Sequence, residues 1–180
     1  MRAPEVYRGL GCFHHSEVWA FAATLFCWIK PGVFGTSGNN YGFSSESWCI
    51  TKLMLLFPGW TGPPDDNKVR QCQFRLAELL SVDNNSHGPD EKPVRVFSLE
   101  DEMQDMGIEP VLIKLFRYLF VVDPKARPSA AEALASKEFL ALRGAALARV
   151  RNRHSEAERF NGSCQVLAVG HLLAPLYAEQ

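Results

Sequence analysis

The chain has no apolar run long enough to cross a bilayer. Its longest, Val18–Ile29, covers twelve residues with Thr24 as the one polar member, against the roughly twenty that a membrane-spanning helix needs. It also lacks paired cysteines: Cys12, Cys27, Cys49, Cys72 and Cys164 are scattered with no CxxC. An odd number of unpaired thiols suits a reducing compartment, where a buried cysteine behaves as a small hydrophobe. Net charge is almost absent, at −1 at pH 7, so nothing pulls the whole chain toward nucleic acid or an anionic membrane. No internal repeat or low-complexity segment is present. The first residues, MRAPEVYRGL, contain no apolar signal core, and the expected location is cytoplasmic or nuclear.

What is present reads as mainly helical. The 180 residues fit one domain and can bury a sizeable core. Ser16–Lys30 is the expected centre: Val18–Ile29 is apolar on every face, so such a helix must be wrapped by other protein. Ser16 can cap its start, and Pro31-Gly32 stops it. The glycine-rich stretch from Lys30 to Ser44 predicts a surface loop. Ser45–Phe57 predicts a second helix, capped by Ser45 or Ser47 and dominated by Trp48, Ile50, Leu53, Met54 and Phe57, with Leu53–Phe57 alone also compatible with a strand.

Pro58–Asn67 is rich in turn residues. Val69–Leu80 repeats apolar residues at Val69, Cys72, Phe74, Leu76, Leu79 and Leu80, a moderately amphipathic helix. Ser81–Val96 reads as a polar, exposed insert. Ser98-x-x-Asp101 has capping-box spacing and predicts a helix over Leu99–Met106, ended by Gly107. Pro110–Val122 carries Leu112, Leu115, Phe116, Leu119 and Phe120 at i, i+3, i+4, i+7, i+8, the pattern of one buried stripe. Asp123-Pro124 breaks it, and a second capping box, Ser129-x-x-Glu132, opens a helix over Ala130–Leu140. Beyond it, Arg143, Arg149, Arg151 and Arg153 make 141–154 basic. That stretch is either a solvated helical extension or an electrostatic docking arm. The remainder of 141–180 has no clear period and stays an unassigned extension.

Three motifs occur in a recognisable order. Arg2-Ala3-Pro4-Glu5-Val6 resembles the R-A-P-E-V that closes the activation segment of eukaryotic protein kinases. Ser16-Glu17-Val18-Trp19-Ala20-Phe21 resembles the S-D-V-W-S-hydrophobic start of that family's central C-lobe helix. Val122-Asp123-Pro124-Lys125-Ala126-Arg127-Pro128-Ser129-Ala130 is similar to the D-P-x-x-R-P-[ST]-A run between its last two core helices. The resemblance covers 1–140. It implies a kinase-like C-lobe fragment without an N-lobe: a helical bundle around one buried central helix, nearest to the CMGC group and its SR-protein kinases.

The resemblance carries residue roles with it. It implies a buried ion pair between Glu5 and Arg127. Ala3, Pro4, Trp19, Asp123, Pro124 and Pro128 are the accompanying structural positions, and Arg2, with the 45–57 surface, is a candidate contact to substrate. Glu17 departs from the family's aspartate, which accepts hydrogen bonds from the catalytic loop. Without that loop, Glu17 is a first-turn carboxylate favoured by the helix dipole.

Phosphoryl transfer needs a glycine-rich loop, a lysine–glutamate pair, a catalytic aspartate with its asparagine, and a magnesium-binding aspartate. In kinases these precede A-P-E, which here begins at Ala3, and no G-x-G-x-x-G, V-A-I-K, H-R-D or D-F-G follows. No catalytic, cofactor-binding or metal residues are therefore expected in this chain; ATP and Mg belong to an intact kinase. Cys12, His14 and His15 lack a fourth ligand at zinc spacing. The expected function is that of a truncated serine/threonine-kinase-like chain, inactive alone. One alternative is a pseudokinase remnant that binds a protein partner or a second copy through uncovered apolar surface, and another is the C-terminal part of a longer active kinase. No nucleic-acid or membrane partner is expected.

Overall fold

The structure is a computed structural model that describes residues 1–62, 66–86 and 93–151. Among the described residues before 136, seven helices follow in order: α1 (Pro4–Tyr7), α2 (His14–Ile29), α3 (Ser45–Leu56), α4 (Lys68–Ser86), α5 (Leu99–Asp105), α6 (Pro110–Leu119) and α7 (Ala130–Ala135). No strand occurs among the described residues. The chain divides into two compact units, Met1–Phe139 and Leu140–Gln180. Of the second unit, 140–151 are helical; Arg153 and the unassigned stretch from 160 onward lie outside the described residues.

Within the first unit α2 packs against α6 and α7, α3 against α4, and α1 against α3. The core is aromatic. Trp19 meets Phe120 edge-on at 5.1 Å between ring centroids, Phe26 meets Phe116 at 5.1 Å, and Phe34 stacks on Phe120 at 5.3 Å. Aromatic pairs of this geometry add about 0.5–1.5 kcal/mol each beyond the area they bury.

Several boundaries differ from the sequence reading, each for a local reason. Helix α2 begins at His14, two residues before the expected cap. Ser16 therefore sits one turn inside, where its hydroxyl accepts the Phe13 N–H at 3.0 Å. The cap of α3 is Ser44 rather than Ser45 or Ser47: Ser44 Oγ accepts the Ser47 N–H at 3.1 Å. Helix α6 stops at Leu119, before Asp123-Pro124. Helix α7 ends at Ala135 because Ser136 turns extended and its hydroxyl accepts the Phe139 N–H, capping a new helical turn.

The exposure pattern differs too. Helix α2 is not wrapped on every side: Glu17, Phe21, Thr24 and Trp28 form an outward stripe, with Phe21 59% and Trp28 82% exposed. Helix α3 is the more enclosed element, since nine of its twelve residues are buried. The 30–44 loop is only partly at the surface, because Val33 and Phe34 enter the core. The expected polar insert begins as the last turns of α4 and ends with Val94 and Val96 buried; 87–92 lie outside the described residues. In α4, Phe74 and Leu80 face inward while Val69, Cys72 and Leu79 face water, so its buried face is narrower than the apolar spacing predicts. Ser129 and Glu132 form the expected capping box, each accepting the other's N–H, whereas Ser98 caps α5 by accepting the Asp101 N–H while the Asp101 carboxylate takes the Ser98 hydroxyl rather than its N–H, so that box is half closed.

Candidate functional site

The first seven residues build one half of the site. Pro4 occupies the first helical position of α1, where its fixed φ is already helical and its missing N–H is no loss. This short turn points the Glu5 carboxylate inward, and the glutamate is 1% exposed. The other half comes from the loop between α6 and α7. The Asp123 carbonyl accepts the N–H groups of Ala126 and Arg127, while its exposed carboxylate accepts the Lys125 N–H at 3.0 Å. Pro124 within this turn and the buried Pro128 after it restrict the backbone on either side of Arg127.

Arg127 reaches Glu5 with two parallel bonds, Nη1 to Oε1 and Nη2 to Oε2, both 2.8 Å, and neither side chain keeps any exposure. The three remaining guanidinium donors are also used. Nε donates to the Val121 carbonyl at 2.7 Å, Nη1 to His15 at 2.9 Å and Nη2 to Val122 at 3.2 Å. All five donors are thus satisfied. Trp19, fully buried, lies with its ring 5.0 Å from the guanidinium carbon, a cation–π contact. Ser16 completes the carboxylate by donating to Glu5 Oε1 at 2.6 Å.

Burial by itself pushes the Glu5 carboxyl up, but the hydrogen bonds from Arg127 and Ser16 outweigh it and hold the group below its ordinary value. Such an arrangement fixes charge rather than moving it. Every guanidinium donor has an acceptor, no proton is shared with solvent, and neither partner is reachable by a reactant. Chemically it is a latch that ties α1, the start of α2 and the α6–α7 loop together.

The other predicted positions are distributed around this latch. Ala3 is buried at the start of α1. Glu17 is not drawn in: it lies on the outward stripe of α2. Arg2 is exposed, with Glu46 at 4.0 Å. Cys12 and His14 are exposed, and His15 contributes its carbonyl to Arg127 rather than a ring nitrogen. Among the described residues no cluster of three His, Cys, Asp or Glu side chains is placed to hold a metal ion, and no helix is long and apolar enough to cross a membrane.

Two features escaped the sequence reading. Ser16 looked like a cap, and only the tertiary approach of α1 makes it a partner of Glu5. Lys52, within an apolar run, is 2% exposed and bonds to the loop carbonyls of Gly32 and Ser37. A lysine at an i, i+3, i+4 neighbour of Trp48, Cys49 and Leu56 was the available signal. Comparison with protein-family models, curated proteins and solved structures returns no match.

Proposed function

We propose that the chain is the helical lower part of a protein-kinase-like fold, of the family that transfers phosphate from ATP to serine or threonine, and that it does not carry out this transfer alone. The observation that supports the reading is the doubly bonded pair between the glutamate of R-A-P-E-V and the arginine of D-P-x-x-R-P, 122 positions apart. Two short motifs that resemble one family meet at full burial. The groups that would cradle phosphate, hold magnesium and position a hydroxyl are not in this sequence. In an intact kinase, Arg2 faces a protein substrate; the 45–57 stretch does not offer the expected surface, since nine of the twelve α3 residues are buried and Ser45 alone is exposed. The test is calorimetric titration of the purified chain with MgATP, alongside labelled-phosphate transfer to a serine/arginine-rich peptide. Neither binding nor transfer is expected. Micromolar MgATP binding, or transfer above a protein-free control, overturns the reading.

The outward stripe of α2 favours a second reading, an interaction module. Phe21 and Trp28 leave large aromatic surface on the helix next to the core, and uncovered apolar surface marks interfaces. Self-association on a sizing column, or strong binding of an apolar dye, supports it; a dye-silent monomer counts against it. A longer active kinase is separated from both by the mass of the endogenous protein detected with an antibody to 152–180. A product near 20.1 kDa upholds the non-catalytic reading. A larger product containing H-R-D and D-F-G peptides replaces it.

A further inference from the structure

A cavity of about 590 Å³ lies between the end of α2, the loop after it, α3 and residues 93–102. Its volume is in the range of small-molecule sites, about 300–1,000 Å³. Lys52 lines it while being almost wholly removed from solvent. The ammonium donates to the carbonyls of Gly32 at 2.6 Å and Ser37 at 2.8 Å. An ammonium has three donors, so one is left for a ligand. Among the described residues no carboxylate pairs with Lys52; its titratable neighbours are the thiols of Cys49 and Cys27.

A purely structural role accounts poorly for this residue. Two loop carbonyls are served as well by a neutral donor, which escapes the desolvation cost of a buried charge. That cost is visible in the ammonium itself, whose proton affinity burial pushes below the ordinary lysine value. The rest of the lining is consistent with an incoming anion. Lys30 also borders the cavity but is matched by Glu102 and Asp105, both at 2.7 Å. Glu102 in turn accepts the Phe97 N–H at 2.8 Å, so the one carboxylate among the described lining residues is already committed. Tyr41, 61% exposed, brings an aromatic face to the cavity, with the buried Trp48 behind it at 6.3 Å between ring centroids.

We propose that this cavity binds a small oxyanion carried on a flat apolar body, an aryl phosphate or carboxylate, with Lys52 as its buried counter-charge. The anion takes the third N–H of Lys52, and the aromatic body lies against Tyr41. A charge-assisted bond from an ammonium already removed from solvent is stronger than one at the surface.

The probe is phenyl phosphate, titrated into the full chain carrying lysines labelled with ¹³C at the ε carbon. The expected result is a saturable movement of the Lys52 resonance and titration of that resonance at higher pH in the bound state, because the anion stabilises the ammonium. Inorganic phosphate binds more weakly, having no flat body. Benzoate run in parallel separates carboxylate from phosphate, and Lys52-dependent binding of either upholds the proposal. Lys52→Met weakens binding at least about tenfold, while Lys114→Met on the exposed face of α6 leaves it unchanged. If Lys52→Met fails to fold, the wild-type titration alone decides. No saturable movement of Lys52, equal binding by uncharged phenol, or undiminished binding by a folded Lys52→Met overturns it.

Discussion

Arg127 and Glu5, separated by 122 positions, share two 2.8 Å bonds with no side-chain surface left to water. The pair closes the Met1–Phe139 unit upon itself: its partners lie in the first turn of helix and in the last loop before α7.

Removing one partner strands the other charge without water. Arg127→Ala is expected to cost about 3–5 kcal/mol, and with it five hydrogen bonds and the contact to Trp19. Arg151→Ala, on an exposed residue of the second unit, should stay within about 0.5 kcal/mol of wild type. Paired urea melts check this; equal midpoints would sink the latch.

The same pair sets an acid limit. The Glu5 carboxyl sits below its ordinary 4.5 because Arg127 and Ser16 together outweigh burial. The unfolded chain therefore takes up this proton first as the solution is acidified. The stability due to Glu5 is complete above about pH 4.5 and disappears as pH falls through the lower folded value. Thermal melts between neutrality and the acid range should show a steeper loss below pH 4.5 for wild type than for Glu5→Gln, which has no carboxylate to protonate. Parallel curves would show that Glu5 is not held by charge.

The outward stripe of α2 contributes little to folding. Phe21→Ser with Trp28→Ser should leave the melting temperature nearly unchanged, within about 0.5 kcal/mol for each, while lowering apolar-dye fluorescence and any self-association seen by sedimentation. A large drop in stability would mean that these rings are covered in solution.

Capping locates the start of α3. Ser44→Ala should cost about 1 kcal/mol, since it removes the acceptor of the Ser47 N–H, whereas Ser45→Ala should be nearly silent. Chemical denaturation of the two variants distinguishes them, and the opposite ranking would move the helix start by one residue.

Local chemistry is what the sequence determined by itself. The S-x-x-D and S-x-x-E boxes depend on residues three apart, the stripe Leu115, Phe116, Leu119 and Phe120 on the helical period, and the end of α2 on Pro31 and Gly32. None of these needs a distant partner. Motif resemblance also named Glu5 and Arg127 together, because each carries its own recognisable neighbours. Tertiary structure decided what faces what. Composition made Val18–Ile29 look enclosed, yet enclosure depends on how many elements arrive, and those that pack on α2 leave Phe21 and Trp28 uncovered. Ser16 became a ligand of Glu5 only because α1 folds beside α2. Lys52 became a buried charge only because the loop carrying Gly32 and Ser37 closes over α3. Spacing along the chain encodes a helix and its caps; burial and pairing arise from segments brought together across it.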